Sequence, residues 1–224
     1  MFENFRIAPD RELAAERYRA LAAGYDASCR FVSGMRRNAI DLLALRSGDT
    51  VLDVACGTGA MLPELARRVG ERGRVIGFEQ SPEMLAIAQE RVRREAIGAV
   101  VTLQQASAEE VRIDGQTDAL LFFYTHDVLQ SPRALEHLFR RARPGARVVS
   151  AGTRFQNWWW AAPLNAWVAL RARRYLTTYH GLSRPWRHLE RYCSDFRPLA
   201  SNFLGTSYLG RGTFADSEKG GRDH

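Results

Sequence analysis

Thr50-Val51-Leu52-Asp53-Val54-Ala55-Cys56-Gly57-Thr58-Gly59-Ala60 reads as a buried strand that stops at a glycine turn. A helix follows it through Met61, Leu62, Leu65 and Ala66. Glycines at such a turn let the main chain pass close beneath a ligand, and the helix start offers unpaired N–H groups. Leu62 stands where a G-x-G-x-x-G dinucleotide fingerprint would have its third glycine. Asp53 lies inside the strand, where a buried carboxylate is costly without a donor. Both features turn the reading from a pyrophosphate ligand to one with amine and hydroxyl donors.

Strands and helices alternate on either side of this stretch. Upstream, a helical pattern covers residues 11–23, Tyr25-Asp26 follows Gly24, and a second helix runs from about Phe31 to Leu45. Downstream, Gly73 to Glu79 reads as a second buried strand ending in an acid. Glu79 lies at the offset from the glycines where a strand-end carboxylate meets ribose hydroxyls in doubly wound folds. Gln80 adjoins it, and Ser81 caps a helix that has Pro82 at its first position and Met84 in its first turn. Val100–Gln104 is the third strand, leaving through Ser107 and Ala108. Thr117–Phe123 is the fourth, leaving through Tyr124, Thr125 and His126. A helix over 132–142, a turn at Pro144-Gly145 and a fifth strand, Arg147–Gly152, complete the alternation.

Val51 to Gly59 resembles the first motif of class I S-adenosylmethionine-dependent methyltransferases, with a spelling similar to the ubiquinone/menaquinone C-methyltransferase branch. The likeness extends over roughly the first two thirds of the chain. It implies a doubly wound, Rossmann-like α/β fold, with a seven-stranded, mostly parallel sheet closed by an antiparallel hairpin. S-adenosylmethionine is then the methyl donor and S-adenosylhomocysteine the product. Asp53, Ala55, Cys56, Gly57, Gly59, Glu79, Gln80, Met84, Ser107, Ala108 and Tyr124 become the donor's contacts, with Tyr25 from the N-terminal helices. Packing roles compete at several of these. Tyr25 also suits a helix-packing tyrosine, Met84 a core methionine, and Glu79 an exposed strand end without a ligand. Ser107 stands where family members often have an Asp, and it accepts more weakly from an adenine amine. No Asn/Asp-Pro-Pro-Tyr tetrapeptide follows the fourth strand, which turns the reading from planar amino nitrogens to an oxygen or carbon acceptor. His126 and, second, His180 are the candidate bases, against a reading of His126 as a residue that caps or packs the next helix.

Residues 153–196 break the alternation and hold all five tryptophans, Trp158, Trp159, Trp160, Trp167 and Trp186. This reads as an aromatic cap after the fifth strand, with Trp158, Trp159, Tyr179 and Arg184 as acceptor contacts and a small, largely apolar or aromatic acceptor. Two rival readings bury at least half of the aromatics against the sheet, or set Trp158–Trp160 with Arg171, Arg173 and Arg174 against a membrane surface. Two short runs, Leu199–Leu204 and Ser207–Arg211, form the closing hairpin, and a polar tail over 214–224 is expected to be disordered.

Composition agrees with one domain over residues 1–213: helices 11–45, a cofactor-binding core 49–152, the cap and the final strands. The net charge of +7 comes from arginines scattered along helices, Lys219 being the one lysine, so nucleic acid is not expected as a partner. Cys29, Cys56 and Cys193 show no C-x-x-C spacing. No disulfide framework or metal site is expected, and the absence of a secretory h-region points to the cytoplasm. A nicotinamide-dependent oxidoreductase and a catalytically silent cofactor-binding protein are the other functional readings.

Overall fold

The computed structural model describes residues 8–28, 32–200 and 204–215. Cys29, Phe31, part of the Leu199–Leu204 run and the tail beyond Ala215 lie outside them. In chain order the elements are α1 (Arg11–Leu21), α2 (Tyr25–Ser28), α3 (Ser33–Leu42), β1 (Thr50–Val54), α4 (Leu62–Val69), β2 (Arg74–Glu79) and α5 (Pro82–Arg94). Then come β3 (Val101–Gln105), β4 (Thr117–Phe123), α6 (His126–Leu129), α7 (Pro132–Phe139), β5 (Ala142–Thr153), α8 (Ala162–Ala172), β6 (Arg197–Ala200) and β7 (Ser207–Thr213).

The strands form one seven-stranded sheet in the order β3-β2-β1-β4-β5-β7-β6. β1 to β5 are parallel, β7 runs antiparallel to β5, and β6 antiparallel to β7. This is the doubly wound sheet with an antiparallel closing pair that the sequence led us to expect.

Side chains alternate across it. Leu52, Val54, Ile76, Phe78, Leu120 and Phe122 face a core with α7, Trp186, Leu189 and Phe196. Val51, Val75, Ala119, Leu121 and Val149 face a second core with α3 and α4. Both faces being covered, the central strands read as nearly continuous apolar runs.

α5 and α7 begin as their sequences predict. Ser81 Oγ accepts from Met84 N at 3.3 Å and Ser131 Oγ from Ala134 N at 3.2 Å, each with proline at the first helical position. The helix expected over 132–142 ends at Phe139, and the fifth strand starts at Ala142 instead of Arg147. Its register jumps from Thr117↔Ala142 to Ala119↔Arg147, so Pro144-Gly145 turns within a bulge of β5 and not ahead of the strand.

The chain leaves β1 towards β2 and β3, then returns to add β4 on the other side. β1 and β4 thus flank the topological switch point, and the crevice beyond their carboxyl ends is where doubly wound sheets bind ligands.

Candidate active site

Two residues at that crevice hold a left-handed backbone despite having side chains: Ala55 (φ 50°) after β1 and Tyr124 (φ 59°) after β4. Such conformations cost on the order of 1–3 kcal/mol and gather at functional sites. Tyr124 is fixed there by its N–H, which donates to Ala151 O at 2.7 Å.

The two glycines of the turn do different work. A Cβ on Gly57 would meet nothing within 4 Å, so this main chain borders open space. A Cβ on Gly59 would come within 2.6 Å of Leu62 Cδ1 and 3.0 Å of the Ala88 Cβ. Gly59 therefore lets the turn close onto α4 and α5, and the ligand-facing main chain belongs to Gly57.

Glu79 joins the turn to β2. Its Oε2 accepts from Gly57 N at 3.1 Å and its Oε1 from Ser81 N at 2.9 Å. The carboxyl is buried, and burial raises its pKa while the N–H groups of Ser81, Gly57 and Gln80 pull it back. Asp53 is buried one strand over. Burial, then the nearby Glu79, push its pKa up to about 7.

Two chambers open here. The first, about 860 Å³, is lined by Glu79, Gln80, Ser107, Ala108 and His126. The second, about 920 Å³, is lined by Asp53, Cys56, Thr58, Met61, Trp167 and Arg171. Ala55, Gly57, Phe123, Tyr124 and Tyr25 line both and form their common wall.

A tyrosine cluster from the N-terminal helices and the cap roofs this wall. Tyr25 meets Tyr18 edge-on at 6.1 Å and Tyr175 at 6.0 Å between centroids. Tyr18 Oη donates to Tyr175 O at 3.0 Å. Asp26, next to Tyr25, accepts from Thr58 Oγ1 at 2.6 Å and pairs with Arg91, whose Nε also donates to Thr58 O at 3.0 Å. Asp26 thus straps α2 to the glycine turn.

Of the residues singled out in the sequence, Tyr25, Asp53, Ala55, Cys56, Gly57, Glu79, Gln80, Ser107, Ala108, Tyr124 and His126 come together on these chambers. Met84 and Gly59 line neither, and Met84 is buried in the protein interior. Ser107 Oγ donates to Glu110 at 2.7 Å.

His126 is buried, with Nε2 3.0 Å from His180 O, which fixes the proton on Nε2 because a carbonyl can only accept. Nδ1 has no partner among the described residues, and burial lowers the pKa to about 4. The ring of His180 lines neither chamber, and its Nδ1 accepts from Arg187 at 3.1 Å.

The acceptor contacts expected in the cap lie elsewhere. Trp158 and Trp159 project to solvent. Tyr179 Oη donates to Ala169 O at 2.7 Å, and Arg184 pairs with Glu190 at 2.8 Å, outside both chambers. Of the cap aromatics, Trp158, Trp159, Trp160 and Trp167 are exposed, while Trp186 is buried and Tyr175, Tyr179 and Tyr192 are half-buried, so half of these eight turn inward. Trp167, Val168 and Tyr175 take the lining role.

Tyr18, Leu176 and Asp127 are chamber residues the sequence reading passed over. Asp127 is buried and raised in pKa by burial, with Thr177 donating from both N (3.0 Å) and Oγ1 (2.6 Å). An acid one residue beyond a strand-exit histidine was the available signal.

Residues 51–145 match a family model described as a methyltransferase domain. The likeness is to this segment, the part that carries the glycine turn. A 2-phytyl-1,4-naphtoquinone methyltransferase of Thermosynechococcus vestitus is 34% identical over 62% of this chain and 64% of its own length. The ubiquinone/menaquinone biosynthesis C-methyltransferase UbiE of Idiomarina loihiensis is 33% identical over 62% of this chain and 58% of its own. The chain thus spans about three fifths of these curated relatives. A solved SAM-dependent methyltransferase from Aquifex aeolicus superposes with a TM-score of 0.56 at 21% identity, over 80% of this chain and 89% of its own, which is a likeness of fold. The matched segment covers the glycine turn, Glu79, Ser107 and His126, whereas the tyrosine roof and α8 lie outside it.

Proposed function

We propose that the chain is an S-adenosylmethionine-dependent methyltransferase acting on an oxygen or carbon of a small, largely apolar, quinone-like or phenolic ring. The observation that carries this is the hydrogen bond from Gly57 N to Glu79 Oε2. It sets the strand-end acid and the open main chain of the turn against one cavity, where a sugar and an amino-acid tail of one donor would need them. Glu79 keeps lone pairs for two ribose hydroxyls beside those taken by N–H groups. Asp53 suits the donor's ammonium, and the bare approach at Gly57 leaves room for its tail.

The donor supplies an electrophilic methyl carbon on a sulfonium. With the donor bound, the acceptor's oxygen or carbon would bond to that carbon as the carbon–sulfur bond breaks, the electron pair staying on sulfur and the acceptor's proton passing to solvent. Residues of the common wall, Tyr25, Phe123 and Tyr124, hold the reacting groups at near-attack distance and exclude water. Such orientation is worth roughly 7–11 kcal/mol. His126, held neutral with its Nε2 proton on His180 O, is a weak base suited to positioning. An acceptor that is itself acidic, a phenol or quinol, fits a site of this kind.

Calorimetry with S-adenosylhomocysteine and with NADH tests the donor. Binding of the first alone is expected, with Glu79→Ala weakening it at least tenfold, and binding of NADH alone would overturn the reading. A labelled-methyl screen over phenols, quinols, fatty acids and prenyl compounds tests the acceptor.

A further inference from the structure

Helix α8 buries one side only. Ala161, Val168 and Ala172 face inward, while Ala162, Pro163, Ala166, Trp167 and Leu170 form an exposed apolar side where a surface helix ordinarily carries charge. In the turn before it Trp159 is 92% exposed, and Trp158 and Trp160 pack on each other at 4.7 Å while both remain open to solvent. At its other end Arg171, Arg173 and Arg174 are exposed, with the Arg171 guanidinium 5.4 Å from the Trp167 ring. From His137 to Leu189 the sequence contains no aspartate or glutamate. Over residues 157–174 the exposed side chains are thus largely apolar or aromatic, and the charged ones are all arginines.

We propose that this face docks on an anionic lipid bilayer, the tryptophans at headgroup depth and the three arginines against lipid phosphates. Tryptophan and arginine together are the side chains that favour the membrane–water boundary. α8 has 11 residues, about 16 Å of helix, so it lies along the surface and does not cross it. Among the described residues no helix is long and apolar enough to span a membrane.

The second chamber opens on the same face, since Trp167, Leu170, Arg171 and Arg174 line it. Docking would bring its mouth to the hydrocarbon, so a lipid-soluble acceptor need not cross water. This last step rests on the function proposed above, whereas the docking does not.

The test is co-sedimentation of the full chain with phosphatidylcholine vesicles, with and without phosphatidylglycerol, alongside calorimetry with S-adenosylhomocysteine and sedimentation equilibrium. Binding is expected to the phosphatidylglycerol vesicles and to weaken as salt rises. Arg171→Gln/Arg174→Gln should lose about fivefold for each arginine, and Trp159→Ser/Trp160→Ser about tenfold. The tryptophan variant should keep the cofactor affinity of the parent, and both variants should keep its urea midpoint, which shows that they are folded. Failure of the parent to bind phosphatidylglycerol vesicles at low salt would overturn the proposal. So would a dimer that the tryptophan variant dissociates without changing vesicle binding. Loss of S-adenosylhomocysteine binding in the parent would instead strike at the proposed function.

Discussion

Asp53 and Glu79 are both buried carboxyls, and they differ in what satisfies them. Glu79 holds main-chain N–H groups on both oxygens, whereas among the described residues no hydrogen bond offsets the burial of Asp53, whose pKa reaches about 7. A ligand ammonium beside Asp53 would favour the charged form and release a proton on binding near neutral pH. Calorimetry in two buffers of different ionisation heat should detect that release for S-adenosylhomocysteine, and Asp53→Asn should abolish it. The two glycines of the turn separate ligand from packing in the same way. Gly57→Ala adds a methyl facing open cavity, so cofactor affinity should fall at least tenfold with a modest stability loss of about 1 kcal/mol for the left-handed backbone. Gly59→Ala drives its methyl into Leu62 and Ala88. It should lose about 2–4 kcal/mol in urea denaturation.

Among the elements, α2 is held on the glycine turn chiefly through Asp26. That carboxylate is 46% exposed, so its pair with Arg91 adds less than about 1 kcal/mol to global stability. Its effect is local: it sets Tyr25 over the common wall of the chambers. Asp26→Ala should leave the urea midpoint nearly unchanged while lowering S-adenosylhomocysteine affinity several-fold and speeding proteolysis ahead of α3. The central strands were legible because burial on both faces forces continuous apolar runs, and Glu79 was legible because its offset from Gly59 follows from the length of one helix crossover. The tyrosine roof was not, since Tyr18 and Tyr175 meet across 157 residues and no spacing announces it. Trp158 and Trp159 were read as acceptor contacts because aromatic residues usually seek apolar surroundings. Sequence does not say whether those surroundings are a cavity wall or the outside of a helix. Pro144-Gly145 made the same kind of ambiguity, a turn signal that serves equally between elements and within a bulge.

Across the whole molecule, two buried groups oppose each other in their response to acid. Asp53 is raised from 3.8 to about 7, so the folded state keeps a proton that the unfolded chain gives up. Its stabilisation is full below about pH 4 and is lost as pH rises to about 7. His126 is lowered from 6.5 to about 4, so its contribution is present above pH 6.5 and lost as pH falls through 4. The two slopes offset each other over the shared window. Asp53→Asn should therefore gain stability relative to the parent between about pH 4 and pH 7, on the order of 3 kcal/mol, in urea titrations across that range.

The chambers reach the outside past different side chains, Arg11 and Arg133 for the first and Leu170 and Arg171 for the second, and share both the wall at Ala55, Gly57, Phe123 and Tyr124 and the roof of Tyr18, Tyr25 and Tyr175. A donor lying across both, with its sugar at Glu79 and its ammonium at Asp53, would still leave the acceptor its own doorway. Arrival and departure should follow no fixed sequence: initial-rate lines for the two reactants should intersect, and the spent donor should compete with fresh donor while leaving access of the ring compound untouched.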